Sequence, residues 1–119
     1  IRSENGNKRV VFVGYPAVYD FKWIDWYFNW AKIDNPFGFG NAICIKNYAF
    51  SHLKSRNHSN CVKRNYPKQW FKPKIMHTHV AYEDAIGQGI LFVNVMRENL
   101  GLEFKPKVKN LEEFLKLMA

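Results

Sequence analysis

At 119 residues, 47% of them hydrophobic and 17% aromatic, the chain has material for one modest core and is not a disordered tail. No apolar run approaches the ~20 residues of a membrane span, so no membrane partner is expected. The formal charge of +8 comes from one segment: no acidic residue lies between Asp34 and Glu83, while Lys46, Lys54, Arg56, Lys63, Arg64, Lys68, Lys72 and Lys74 do. Such a block favours a polyanionic partner, with a solvated basic face as the plain alternative.

Residues 1–9 read as a loop or arm, with Asn5-Gly6 as a turn signal. The run Arg9–Tyr15 is β-branched and aromatic without polar alternation, which predicts a strand buried on both faces. Pro16 closes it, and a helix is expected from about Tyr19 or Asp20 to Lys32. Phe21, Ile24 and Phe28 recur at helical spacing, while Trp23, Trp26, Tyr27 and Trp30 spread apolar surface around most of the barrel. So apolar a helix should be covered on more than one side, which hints at missing neighbours. The start at Ile1 carries the same expectation of a piece of something longer.

Asp34–Gly40 is turn chemistry. Asn41–Ile45 predicts a second strand, followed by a helix through Tyr48, Ala49 and Leu53. Ser55–Lys74 reads as a long basic loop with one helical turn after Pro67. The next helix runs to about Asn99, with Ala85, Gly87 and Gly89 expected to let it approach a sheet closely. Gly101 should end it as a left-handed cap. A linker follows over residues 101–109. Asn110 to Met118 then predicts a last amphipathic helix, with Asn110 and Glu113 spaced as a capping box.

Cys44 and Cys61 fit neither a zinc ribbon nor a redox pair, and no signal sequence is visible. Two free thiols in a reducing compartment, hence a cytoplasmic location, are expected. A zinc site from His52, His58, Cys61 and His77 lacks a diagnostic spacing.

Two acids stand at helix starts. Asp20 follows a predicted strand and turn, where a first-turn carboxylate is ordinarily a partner of the helix dipole and free amides. Asp84 lies five residues after His79, a step that turns the side chain about 140° beyond a full revolution on one helix. His79 therefore belongs on the loop before the helix and Asp84 in its first turns. Both then reach one point beyond the helix end. Glu83 is expected to face solvent.

His79-x-Ala81-x-x-Asp84-Ala85 resembles the third motif of the DEDDh exonucleases, the superfamily of ribonuclease T, oligoribonuclease and polymerase proofreading subunits. Val11-Phe-Val-Gly-Tyr-Pro-Ala-Val-Tyr-Asp20-Phe resembles their second motif, and Ala42–Ala49 the strand and helix between. The stretch Lys63–Trp70 followed by His77-Thr-His79 is similar to a bacterial subgroup of that superfamily.

The resemblance implies an α/β chain that is the C-terminal part of a ribonuclease H-like fold, a mixed sheet flanked by helices. Residues 10–100 would form the partial exonuclease domain and residues 101–119 a linker and terminal helix. It implies hydrolysis of a phosphodiester from the 3′ end of single-stranded DNA or RNA with two Mg²⁺ or Mn²⁺ ions. Asp20 and Asp84 match two of the four metal ligands, and His79 matches the general base. Lys63, Arg64 and Lys68 would contact phosphates, with Tyr66 or Trp70 as a stacking face; the alternative is a solvated basic loop with Trp70 tucked into the core.

The family's first motif, Asp-x-Glu, occurs nowhere in the chain. By itself the chain is expected to be inactive or nearly so. A missing N-terminal segment or another chain would have to supply the rest, and a homodimer is the other partner expected. The alternatives are an inactive nucleic-acid-binding module of the same fold, or a subunit that needs a partner.

Overall fold

The computed structural model describes residues 6, 8–75, 79–102 and 112. Among them are three α-helices, one two-stranded parallel sheet and three short 3-10 turns, an α/β chain. It divides into two compact units, Ile1–Tyr48 and Ala49–Ala119. The expected helix from Asn110 to Met118 and its capping box, His77, and most of the N-terminal arm lie outside the described residues.

The first unit is a βαβ element. Strand β1 (Phe12–Gly14) pairs in parallel with β2 (Ala42–Cys44), Phe12 opposite Ala42 and Gly14 opposite Cys44. Helix α1 (Ala17–Trp30) is the crossover that two parallel strands require. The sheet is parallel where a mixed one was expected. β1 is also shorter than the run Arg9–Tyr15, and it is not buried on both faces. Val11 is exposed and Phe12 and Val13 are only half-buried, because two strands and one helix are too little cover.

Gly14 has a packing reason: a Cβ there would stand 2.9 Å from the Phe12 ring and 3.2 Å from the Ala17 Cα. α1 begins two or three residues earlier than the sequence suggests, because Pro16 takes the extended N-cap conformation. It ends in a Schellman turn with Lys32 at φ 54°, where Ile33 N–H donates to Phe28 O (3.0 Å) and Lys32 N–H to Asn29 O (3.1 Å).

The segment after α1 is turn chemistry, as expected. Asn35 donates to Asp25 Oδ1 (2.8 Å) and accepts from the Phe37 amide (3.0 Å), and Asn41 donates to Phe37 O (2.7 Å). Gly38 and Gly40 supply the left-handed positions. The turn delivers Phe37 against Phe12 and Phe21, with ring centroids 5.6 and 6.4 Å away. That trio, with Phe12–Phe21 at 5.5 Å, is the apolar centre between the sheet and α1.

Helix α2 (Ile45–His52) leads from the first unit into the second. The second unit is built on α3 (Ala81–Asn99), whose end matches the sequence reading. Gly101 is left-handed at φ 65°, with Leu102 N–H donating to Arg97 O and Gly101 N–H to Glu98 O. The basic stretch is not structureless. It folds into 3-10 turns at His58–Asn60, Lys63–Asn65 and Lys68–Phe71, the last following Pro67 as predicted.

Ala49, Cys61, Tyr66, Trp70, Ile90, Leu91, Asn94 and Val95 are buried in it, and the last turn packs on α3. Gly87 and Gly89 do not act as expected: a Cβ at either meets nothing within 4 Å. Ala81, Ala85 and Gly89 are all exposed, so this face of α3 makes no close approach to other described residues.

Candidate functional site

Asp20 sits in the first turn of α1, half-buried, shortly after the end of β1 at Gly14. It belongs to the first unit, whereas His79 and Asp84 belong to the second. Those two flank the mouth of α3 as the five-residue spacing requires. His79 is exposed and stands two residues ahead of the helix, with Val80 as the N-cap. Asp84 is in the first turn, its amide donating to Val80 O at 3.0 Å, and Glu83 donates to the same carbonyl at 3.0 Å. Both carboxylates therefore sit where the helix dipole favours negative charge. Glu83 is half-buried rather than open to solvent.

His79 adopts φ 62°, in the left-handed region. Only two other described non-glycine residues do so, Lys32 and Lys54, and both close a helix. A left-handed residue ahead of a helix has no such capping duty. Its effect is to turn the chain sharply into α3 and fix the direction in which the imidazole leaves the backbone.

The basic residues divide clearly. Lys63, Arg64 and Lys68 are exposed on their 3-10 turns. Trp70 is wholly buried and Tyr66 nearly so, which corrects the expectation of a stacking face at either. The two rings pack on each other with centroids 5.3 Å apart, and Tyr66 also lies 6.5 Å from Phe71. Burying them removes the largest apolar surfaces of the segment from water, roughly 2–3 kcal/mol for a large side chain.

Sequence reasoning missed the polar cluster that holds this segment. Glu98 Oε2 accepts from the Trp70 indole N–H (2.8 Å) and Gln69 (3.3 Å), while Oε1 lies 3.0 Å from His52 Nε2. The other ring nitrogen of His52 is 3.1 Å from Asn99 Oδ1. Asn94 is buried, and its amide donates to the carbonyls of Trp70 (3.0 Å) and Lys72 (2.8 Å). Burial would raise the Glu98 pKa, but hydrogen bonds from His52, Trp70 and Gln69 and the charge of His52 bring it below the ordinary carboxylate value.

A signal existed. Asn94 interrupts an apolar run, and Glu98 lies four residues on, over the same helix face.

His52, His58 and Cys61 form no metal site: the described residues hold no group of three or more His, Cys, Asp or Glu able to grip an ion. In the first unit a pocket of about 440 Å³ is lined by Ala17, Phe21, Ile43, Cys44 and Tyr48 among others, all without a carboxylate or an imidazole. No helix among the described residues is long and apolar enough to cross a membrane. Comparison with protein-family models, curated proteins and solved structures finds no match to this chain.

Proposed function

We propose that the protein is a metal-dependent 3′–5′ exonuclease for single-stranded nucleic acid, built on a ribonuclease H-like α/β fold. The observation that carries this reading is the backbone at the mouth of α3. His79 is held at positive φ directly before the N-cap, with Asp84 in the first turn behind it. A non-glycine residue in that region costs on the order of 1–3 kcal/mol, and such strain gathers where a side chain must be aimed. Asp20, opening α1 after a parallel strand, agrees with the second motif.

In this reaction His79 takes the proton of the attacking water. The water oxygen bonds to phosphorus, and the bond to the 3′ oxygen of the shortened strand breaks. An imidazole suits the task because its ordinary pKa lies near working pH. Carboxylates suit hard divalent cations. Asp20 and Asp84 are nevertheless too few for a two-ion site, and its remaining ligands must come from outside the described residues.

The test is release of nucleotides from a 3′-labelled oligonucleotide by the gene's full-length product with Mn²⁺. His79→Ala and Asp84→Asn should each cost 10²-fold or more, on the order of what a general base or a metal ligand contributes. Full activity in both variants would overturn the assignment.

The second reading is a binding module of the same fold without hydrolysis. It is favoured by Lys63, Arg64 and Lys68, exposed on a segment pinned to α3. It predicts salt-dependent affinity for single strands, with a shallower salt slope in Lys63→Ala and Arg64→Ala. Unchanged affinity and slope in those variants would remove it.

A further inference from the structure

Helix α1 sorts its side chains onto two faces. At 100° per residue, Ala17, Phe21, Ile24 and Phe28 fall within an arc of about 60°, and they are buried or half-buried. Tyr19, Trp23, Trp26 and Trp30 fall within an equally narrow arc on the opposite side. Those four are between 46% and 72% exposed. Trp26 and Trp30 lie within 10° of parallel with centroids 6.3 Å apart, and Tyr27 meets the Trp26 ring edge-on at 5.1 Å.

We propose that this stripe is a stacking platform for single-stranded nucleic acid, with the strand running along α1 from Asp20 towards Trp30. The inference rests on the reading of the protein as one that takes single strands, with or without hydrolysis. Spacing is the first argument. From Tyr19 to Trp30 the helix rises about 16 Å, so the four rings recur roughly every 5 Å along its axis. Bases of one strand stand about 3.4 Å apart when stacked on each other. Rings at this wider spacing suit a strand drawn out of its own stack, over about three or four nucleotides. The common orientation of the Trp26 and Trp30 planes lets neighbouring bases lie on them in one direction. Every base has a π-face, so such a platform takes any sequence.

Charge is the second argument. Lys22 stands about 40° outside the edge of the stripe, its Nζ 5.2 Å from the Trp23 ring centre and 5.9 Å from that of Tyr19. An ammonium held over two exposed rings is placed to meet the phosphate between bases that lie on them, the pairing of cation and ring found in single-strand sites. Asp25 lies about 100° from Trp26, on the far side of Lys22, and its carboxylate accepts from Asn29 (3.3 Å) and Asn35 (2.8 Å). The net charge of +8 favours a polyanion over any other long ligand.

Continuity is the third argument. Asp20, the metal ligand of the proposed reaction, is in the first turn of α1 next to Tyr19, where the stripe begins. A 3′ end at Asp20 leaves the upstream nucleotides to follow the rings. Other occupants fit less well. A stable protein interface takes about 800 Å² from each side, more than these partly exposed rings offer. A membrane-surface helix carries a Lys- or Arg-rich polar face, whereas α1 holds Lys22 against Asp20 and Asp25.

Anisotropy of a fluorescein-labelled oligothymidylate of about eight nucleotides, titrated with the protein across a salt series, tests the platform. Trp26→Ala/Trp30→Ala should raise the dissociation constant at least tenfold at an unchanged salt slope, because it removes stacking and no charge. Trp26→Phe/Trp30→Phe should recover part of that loss, and Lys22→Ala should flatten the slope. Circular dichroism should be unchanged in all three, since the substituted side chains are exposed. An alanine pair that binds as tightly as wild type, or a phenylalanine pair no better than the alanine pair, overturns the platform while wild-type binding keeps the single-strand reading. A wild-type protein that binds no oligonucleotide overturns both.

Discussion

Each end of α3 carries a histidine and a carboxylate, and the two ends are built differently. At the C-terminal end, His52 and Glu98 are held by Trp70, Gln69 and Asn99, and the neighbouring Asn94 is buried and doubly bonded. These groups convert hydrogen-bonding capacity into rigidity, anchoring the basic segment and α2 to the helix. At the N-terminal end, His79 is exposed on a left-handed backbone, and Asp84 sits in the first turn. There the left-handed residue precedes the helix instead of closing one, and its side chain is exposed. A histidine and a carboxylate thus mean structure at one end and candidate chemistry at the other. What separates them is burial and backbone conformation.

The sharpest way to break the comparison is at the anchored end. Trp70→Ala should destabilise the protein by about 3–5 kcal/mol in denaturant unfolding, since it empties a fully buried site and removes the indole donor to Glu98. A loss under 1 kcal/mol would mean that the segment is not held through this ring.

Glu98→Ala leaves the indole N–H and His52 without their acceptor and should cost about 1–3 kcal/mol. The same carboxylate also predicts a pH effect. Its pKa is lowered in the folded state, so its stabilisation is complete above the ordinary value of 4.5 and fades as pH falls through the lowered one. Wild type should therefore lose stability relative to Glu98→Gln in that acid window. Parallel acid titrations of the two would count against the hub.

Gly89→Ala is the smallest effect and the one whose sign is most informative. In an exposed helix interior with open space around the Cβ it should add about 1 kcal/mol. Destabilisation would mean that this face of α3 is closely packed in the working protein.

Much of the fold was legible in the sequence. The place of β2, the end of α3, the turn chemistry after α1, the helical turn after Pro67 and the Gly101 cap all follow from local preferences, and local preferences decided them. β1 was overextended because a continuous apolar run signals burial, yet burial depends on how many strands and helices are there to cover it. The polar, basic surroundings of Trp70 in sequence suit a stacking face as well as a place in the core. Its burial depends on Asn94 and Glu98, more than twenty residues away, and no local pattern registers such a pairing. His79 and Asp84 were legible as a helix mouth from spacing alone, but the positive φ of His79 was not.

One paired measurement bears most directly on the account. His79→Ala and His52→Ala, made in the full-length product, are compared for Mn²⁺-dependent release of 3′ nucleotides and for unfolding midpoint. His79→Ala should lose activity at least 100-fold at an unchanged midpoint, while His52→Ala should keep its turnover and lose about 1–2 kcal/mol of stability. The reverse pattern, or full activity in His79→Ala, would contradict the division between the two ends of α3.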